Sequence, residues 1–226
     1  MTDWEELARR AGQELEAASA TEILSWAADT FGERLCVTSS MADAVVVSLA
    51  AAAQPGIDVL FLDTGYHFAE TLGTRDAVAA VYPVTMVNLV AEQTVAEQDA
   101  AYGPRLHDRM PDRCCALRKV APLDRALSSY DAWVSGIRRK ETASRSAVPV
   151  VDWDARRGKI KVNPLAHWTD DDVDDYIAEH GIIVNPLRYD GYPSIGCAPC
   201  TRRVDPGEDT RAGRWAGMSK TECGIH

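Results

Sequence analysis

Six cysteines are the residues of this chain whose types and spacing most directly suggest chemistry. Cys114 and Cys115 are adjacent, and much further along the chain Cys197 and Cys200 form a CxxC pair in a Gly- and Pro-bounded loop. A structural zinc ion requires four thiolates that converge on one point, whereas neighbouring side chains on a helix diverge by roughly 100°. A 4Fe-4S cube takes one thiolate per iron at separate corners. The CC plus CxxC pattern therefore favours an iron–sulfur cluster over zinc.

The two remaining cysteines have different surroundings. Cys36 lies within a short β-type run and is most simply a small buried hydrophobe. Cys223 lies in the C-terminal segment KTECGIH, where flanking glycines allow movement and the nearby Lys220 and His226 would favour a thiolate. An incidental exposed thiol is the alternative when this segment is considered alone. Beside a cysteine cluster and a basic pocket, Cys223 becomes a candidate nucleophile.

Charge is distributed unevenly along the chain. The 226 residues include 24 Lys and Arg against 34 Asp and Glu, and the net charge of −10 argues against a nucleic-acid partner. Residues 105–145 nevertheless hold ten basic and five acidic side chains. Such a basic island suits a pocket for a small polyanion, although a solvated helix face would also account for it.

Targeting and membrane signals are not evident in the sequence. The opening residues MTDWEELARR lack a basic stretch followed by an apolar core, so we expect a cytoplasmic protein with reduced thiols. The longest apolar stretch, residues 44–53, is far shorter than the ~20 residues that span a bilayer. We therefore expect no membrane partner, and the sequence leaves the oligomeric state open, homo-oligomers included.

The elements that must position these residues follow an alternating pattern. Apolar runs at 34–39, 57–63, 84–89, 132–137, 148–152 and 159–162 predict strands, with helices predicted over 41–54 and 68–81 and after Thr169. Strands that are apolar on both faces and alternate with helices predict an α/β fold, a parallel-type sheet with helices on both faces. We divide the chain into N-terminal helices packed on the core (1–33), an α/β nucleotide-binding domain (34–196), and a cluster loop with a mobile catalytic tail (197–226).

Polar residues follow the first two predicted strands. Ser39 and Ser40 end the first strand just before a helix, where hydroxyls and backbone N–H groups can bind phosphate or sulfate. Asp63 ends the second strand, at the carboxyl edge where open α/β sheets bind ligands. Asp63 could accept a hydrogen bond from a ribose hydroxyl or an adenine amine, and a simple turn cap is the equally weighted alternative.

Four motifs together resemble the assimilatory adenosine 5′-phosphosulfate reductases, in their actinobacterial form, within the phosphoadenylyl-sulfate reductase family. They are the cysteine pairs, the terminal KTECGIH, and the strand-end elements SSMAD and LDTGYHFAET. The resemblance implies an adenine-nucleotide α-hydrolase-like fold and a 4Fe-4S cluster bound by Cys114, Cys115, Cys197 and Cys200. It also implies that Cys223 is the nucleophile, which attacks the sulfur of adenylyl sulfate, expels AMP and becomes a cysteine S-sulfonate. Reduced thioredoxin then releases sulfite from this intermediate, in sulfate assimilation toward cysteine. The substrate contacts implied by motif position are Ser39, Ser40, Asp63, Thr64, Gly65, Lys119, Arg138, Arg139, Arg211, Arg214 and His226.

Two departures from family patterns affect this interpretation. Relatives that use ATP carry SGGxDS at the first strand end, whereas this chain has no glycine in Ser39–Asp43, which counts against ATP. Glu141 stands where relatives often have Gln or a small polar residue, so the contacts of that loop differ. Alternatives are reduction of the 3′-phosphorylated substrate, a zinc-bound ATP pyrophosphatase-type enzyme, and a non-enzymatic nucleotide-binding module.

Overall fold

A computed structural model describes residues 3–225 and contains one six-stranded sheet. The strands are β1 (Leu35–Thr38), β2 (Asp58–Asp63), β3 (Thr85–Val90), β4 (Ala132–Ser135), β5 (Val151–Asp154) and β6 (Lys159–Val162). Their spatial order is β3-β2-β1-β4-β6-β5, and every pairing is parallel except that of β5 with β6 at one edge. The predicted fold class, an α/β protein with a mostly parallel sheet, is confirmed.

Helices connect the strands and precede the sheet. They are α1 (Trp4–Glu14), α2 (Ala20–Phe31), α3 (Val45–Ala53), α4 (Ala69–Val81), α5 (Val95–Tyr102), α6 (Leu106–Arg109), α7 (Pro111–Cys115), α8 (Ala121–Leu127) and α9 (Asp170–His180). A π-helical turn, Ala116–Val120, joins α7 to α8. The capping boxes that open α2 at Ser19 and α9 at Thr169 satisfy backbone N–H groups that would otherwise lack partners.

Side chains alternate between the two faces of the central strands, and both faces are covered. Val37 and Val134 belong to a large apolar cluster that includes residues of α2 and α3. Cys36 and Trp133, the residues that precede them, belong to a second cluster with Leu123 of α8. A sheet buried on both faces explains why its central strands are apolar without polar alternation.

The strand order creates a switch point beside β1. The chain passes from β1 to β2 on one side and later inserts β4 on the other side, so the connections leaving the carboxyl ends of β1 and β4 diverge. Ligands of open α/β sheets bind in the crevice that such divergence opens. The fold therefore places its crevice next to Ser39 and next to the residues that follow Ser135.

The segment after β1 differs from the sequence prediction. The helix begins at Val45 rather than Met41, and residues 39–44 form an irregular turn. Met41 adopts a left-handed φ of 59° without being glycine, and Asp43 forms an isolated antiparallel bridge with Val184. Tertiary pairing with the C-terminal part of the chain has displaced the first turn of the predicted helix.

The N-terminal helices pack on the sheet. Ala8 and Ala11 of α1 are buried in the main core together with Val151 of β5. A Cβ atom at Gly12 would lie 2.7 Å from the Val151 carbonyl oxygen, so this close approach requires glycine. Within residues 3–225, no helix has the length and apolar character needed to cross a membrane.

Candidate active site

A cleft of ≈ 500 Å³ opens at the switch point of the sheet. Its volume falls within the range of about 300–1,000 Å³ that is typical of small-molecule sites. The lining combines residues after β1, after β2 and after β4 with residues from the C-terminal tail. Of the predicted site residues, those that line it are Ser39, Ser40, Thr64, Lys119, Arg138, Cys197, Arg211, Arg214 and Cys223.

The turn after β1 presents two hydroxyl groups to this cleft. Ser39 Oγ accepts a hydrogen bond from the Met41 N–H at 3.2 Å, which stabilises the left-handed turn. Ser40 is exposed at the cleft, and the Val45 N–H at the start of α3 donates to Asp43 Oδ1 at 3.1 Å. A cleft carboxylate therefore already accepts from the first N–H of this helix.

The end of β2 is divided between the cleft and the protein surface. Asp63 and Gly65 do not line the cleft. Asp63 Oδ1 accepts from the Gly65 N–H at 3.0 Å, while its other oxygen lies 3.8 Å from an Arg75 nitrogen. The turn-cap alternative for Asp63 is thus what the structure displays. Thr64 is buried and lies between the cleft and the four cysteines.

Three contacts onto the loop after β2 bring the cysteine pairs together. The Ala198 N–H donates to the Tyr66 carbonyl at 2.7 Å, and Cys197 Sγ lies 3.3 Å from Thr64 Oγ1. Arg118, just after the adjacent cysteines, donates to the Thr64 carbonyl. One pocket is consequently lined by Cys114, Cys115, Cys197 and Cys200.

The four thiols influence one another through their charge. Burial, followed by the proximity of Cys115, Cys197 and Cys200, raises the pKa of Cys114 to about 12. Burial and Cys197 similarly raise the pKa of Cys200 to about 11. All six cysteines are free thiols. Among residues 3–225, no group of three His, Cys, Asp or Glu side chains is arranged to hold a single metal ion.

Lys119 connects the thiol pocket with the cleft, because it lines both. Its side chain is buried, which alone would lower the pKa of the ammonium group. The surrounding Cys197, Cys223 and Cys115 sulfurs outweigh burial, so the pKa is raised. Lys119 therefore places a retained positive charge between the clustered thiols and the terminal thiol.

Guanidinium groups in the cleft have unsatisfied donors. Arg138 Nη1, Arg188 Nη1 and Arg214 Nε are buried and lack a hydrogen-bond partner. Other donors of these side chains are occupied: Arg138 Nη2 donates to Asp170 at 2.7 Å, and Arg214 Nη1 donates to Ser194 Oγ at 3.2 Å. Buried N–H groups without partners are costly in a protein alone and are satisfied when an anion with several oxygens binds.

The consecutive arginines after β4 have different roles. Arg138 lines the cleft, whereas Arg139 does not. Arg139 donates to both carboxylate oxygens of Glu16 at 2.7 and 3.1 Å and to the Val148 carbonyl at 2.7 Å. The predicted substrate contact at Arg139 is thus occupied by a bond to the segment after α1.

The C-terminal tail lies over the cleft. Cys223 is half-buried in its lining, and Ile225 packs against the apolar cluster of Cys36 and Trp133. Lys220 forms an ion pair with Asp112 beside the adjacent cysteines. The predicted contact His226 lies outside the described residues.

Several charged cleft residues are absent from the sequence-based prediction. They are Asp43, Glu141, Arg145, Asp170, Asp174, Arg188 and Glu222. Arg145 lies in the basic island, and Glu222 lies in the terminal motif, so both carried a signal. Arg188 had none, because it reaches the cleft from a 3₁₀ turn, Pro186–Asp190, in the irregular tail.

The fold and site together define an α/β protein with a mostly parallel sheet, a cationic cleft at its switch point and a thiol-lined pocket beside that cleft. The chain belongs to the phosphoadenosine phosphosulfate reductase domain family, whose model matches residues 34–203. The resemblance predicted from the cysteine and strand-end motifs is therefore confirmed.

Similar proteins support this membership along nearly the whole chain. An adenosine 5′-phosphosulfate reductase of Streptomyces coelicolor is 65% identical over 97% of this chain and 93% of that protein. One from Mycolicibacterium smegmatis is 59% identical over 98% and 94%. The crystal structure of a phosphoadenylyl-sulfate (PAPS) reductase from Candida auris, a phosphate complex, has a TM-score of 0.74 at 27% identity, covering 90% of this chain and 98% of that one.

A more distant likeness concerns the fold alone. The FMN adenylyltransferase of Candida glabrata, in complex with FAD and pyrophosphate, has a TM-score of 0.58 at 13% identity, covering 91% of this chain and 78% of that one. The fold of this chain is thus similar to that of the adenylyltransferase.

Proposed function

We propose that this chain reduces adenosine 5′-phosphosulfate to sulfite and AMP in assimilatory sulfate reduction. The names and near-complete coverage of the actinobacterial relatives support the substrate. The observation that carries the proposal is the placement of Cys223 in one cleft with buried, unpartnered guanidinium N–H groups. That arrangement presents a nucleophilic sulfur to a bound polyanion.

The first chemical step forms a bond between sulfur atoms. The Cys223 thiolate attacks the sulfate sulfur of adenylyl sulfate, the bond from that sulfur to the bridging oxygen breaks, and AMP leaves with the electron pair. Cys223 then carries an S-sulfonate. AMP is a good leaving group because its phosphate stabilises the charge, and covalent catalysis divides a two-electron reduction into two thiol steps.

The second step consumes thiol reductant. A thiolate of reduced thioredoxin attacks Cys223 Sγ, sulfite leaves with the electron pair, and a mixed disulfide remains. The second thioredoxin thiol resolves that disulfide and regenerates Cys223. Cys223 must therefore leave the cleft between the two steps, which is compatible with a terminal segment that contains no helix or strand over residues 220–225.

Fixed cations make the first step feasible, because thiolate and sulfate are both negative. Lys119 lies between the thiol pocket and the cleft, and we assign it to the sulfate end of the substrate. Arg138 and Arg214 offer their unpartnered N–H groups to the phosphosulfate oxygens. Such preorganised charges stabilise the anionic transition state without reorganisation cost.

We further propose that Cys114, Cys115, Cys197 and Cys200 hold a 4Fe-4S cluster. Four free thiols that line a common pocket support this proposal. When bound, the cluster would tune charge beside the sulfate, and electrons come from thioredoxin.

The cluster assignment predicts the metal content of the protein. Anaerobically purified wild type should contain iron and acid-labile sulfide in equal amounts, about four of each per chain. Cys197→Ser should lose both, whereas Cys36→Ser should keep them because Cys36 lies in the apolar core. About one zinc ion per chain without sulfide would contradict the assignment.

The activity itself is tested by sulfite release from adenylyl sulfate and from its 3′-phosphorylated form, with reduced thioredoxin. We expect a higher kcat/KM for adenylyl sulfate, and complete loss of sulfite formation in Cys223→Ser with nucleotide binding retained. A preference for the 3′-phosphorylated substrate would reject the substrate assignment. Sulfite formation by Cys223→Ser would reject the nucleophile.

A further inference from the structure

The residue before the terminal thiol forms a two-pronged ion pair with the body of the protein. Arg145 Nε donates to Glu222 Oε1 at 2.8 Å, and Arg145 Nη2 donates to Glu222 Oε2 at 2.6 Å. The same carboxylate lies 3.5 Å from Arg211 Nη2, which also donates to the Thr221 carbonyl at 3.0 Å. Parallel hydrogen bonds between a guanidinium and a carboxylate fix orientation as well as distance.

This ion pair lies where water is largely excluded. The Arg145 side chain is 10% exposed and that of Glu222 is 24% exposed. The remaining arginine donor, Nη1, binds Glu141, so Arg145 is held by carboxylates on both sides. Removing one partner of a buried pair leaves an uncompensated charge and is strongly unfavourable, whereas exposed pairs contribute little.

Other anchors of the tail lie further along the chain from Cys223 than Glu222 does: Lys220 pairs with Asp112, and Ile225 packs against the apolar cluster of Cys36 and Trp133. Beyond the thiol, Arg156 and Arg157 contact the tail through its backbone, at the carbonyls of Gly224 (3.4 Å) and Ile225 (3.0 Å). Glu222 is the neighbouring residue whose side chain binds the body of the protein. Because residues 220–225 contain no helix or strand, side-chain anchors must define where the thiol points.

We propose that Glu222 is a positioning residue, which holds Cys223 toward the cleft through its ion pair with Arg145. This inference rests on the proposed role of Cys223 as nucleophile. Closure of the pair favours attack on the bound phosphosulfate, and opening of the pair exposes Cys223 Sγ to the reductant. Glu222 itself touches none of the reacting atoms.

Access to the thiol gives the first test, and it requires no substrate. Wild type and Glu222→Gln, purified anaerobically with matched metal content, are treated with iodoacetamide, and alkylation of Cys223 is followed by peptide mass mapping. Rates are compared on their high-pH plateau, where the thiol is fully ionised, so that they report access rather than ionisation. We expect alkylation to be faster by roughly tenfold or more, as loss of a charge-assisted hydrogen bond predicts.

The matched control is a second ion pair in which an arginine donates two hydrogen bonds to one glutamate. Glu208 binds Arg202 through two hydrogen bonds of 2.8 and 2.9 Å, but on an exposed loop outside the cleft. Glu208→Gln should alkylate at the wild-type rate. Should Glu222→Gln fail to fold, Glu222→Asp keeps the charge and is too short for both hydrogen bonds, so it should show a smaller change in the same direction.

The half-reactions give the second test. With adenylyl sulfate and no reductant, Glu222→Gln should form the Cys223 sulfonate roughly tenfold more slowly or worse, because a misplaced nucleophile loses rate steeply. Release of sulfite from the sulfonated protein by dithiothreitol should be no slower than in wild type. Wild-type rates of alkylation and sulfonation in Glu222→Gln would overturn the inference. Absence of any Cys223 sulfonate in wild type would instead overturn the proposed function. The alkylation rates would still show whether the ion pair between Glu222 and Arg145 restricts access to the thiol.

Discussion

The contact between Gly196 and Arg214 shows how one missing side chain prepares the cleft. A Cβ atom at Gly196 would lie 2.6 Å from Arg214 Cζ, so the guanidinium occupies space that only glycine leaves open. Arg214 Cζ also lies over the Trp215 ring, 4.6 Å from its centre. Arg214 is thus fixed by its surroundings, with Nε left free for a ligand.

Gly196→Ala should therefore weaken nucleotide binding. Displacement of Arg214 removes one charge-assisted contact, and we expect the Kd for adenylyl sulfate to rise roughly tenfold. Calorimetry in a Cys223→Ser background measures this without turnover. Gly73→Ala is the control, because a Cβ atom there meets nothing within 4 Å and Gly73 lies in α4. Equal affinity of the Gly196 and Gly73 variants would contradict the account.

The strands and turns that carry each motif determine which of its residues reach the cleft. The strand ends could be predicted from sequence, because hydrophobic runs locate strands and ligands bind at the carboxyl edge of a parallel sheet. The basic island could be predicted because its excess of basic residues is visible in the sequence. The two arginines after β4 could not be separated in this way. Their assignment depends on a 3₁₀ turn, Arg139–Glu141, that directs Arg138 into the cleft and Arg139 toward Glu16.

The Arg139–Glu16 pair yields a pH-dependent prediction for the N-terminal helices. The hydrogen bond from Arg139 lowers the pKa of Glu16 below its ordinary value of 4.5. A lowered carboxyl pKa stabilises the folded state above the ordinary value, and that contribution disappears as pH falls through the lowered pKa. Arg139→Ala should therefore speed hydrogen exchange in α1 at neutral pH, with the difference from wild type shrinking well below pH 4.5.

Mass-resolved hydrogen exchange of the α1 peptides at the two pH values checks this prediction. The affinity for adenylyl sulfate should not change, since Arg139 lies outside the cleft lining. An exchange difference that is independent of pH would contradict the role of the ion pair. A large loss of nucleotide affinity would return Arg139 to the substrate site.

Across the whole molecule, the cleft unites regions that are distant in sequence. Residues that follow β1, β2 and β4 meet a tail whose contact between Arg145 and Glu222 spans 77 positions. Sequence motifs identified the candidate cluster cysteines and the family, because the residues within each motif lie close together in the chain. The position of Arg188 and the pairing of Arg145 with Glu222 could not be predicted, because short 3₁₀ turns and an irregular tail carry no periodicity from which docking follows.

The unequal charge distribution acquires a physical meaning at this scale. Cations of the basic island, Lys119, Arg138 and Arg145, meet Arg211 and Arg214 of the tail in one cleft, and carboxylates occupy only part of their donors. A protein with a net charge of −10 thereby presents a local site for a small anion.

Mass spectrometry of the anaerobic protein incubated with adenylyl sulfate and no reductant tests the central claim most directly. The account predicts a sulfonate on the Cys223 peptide, with AMP released in equal amount and Cys36 unmodified. An unmodified Cys223 peptide under conditions in which AMP is released, or a sulfonate on another cysteine, would contradict it.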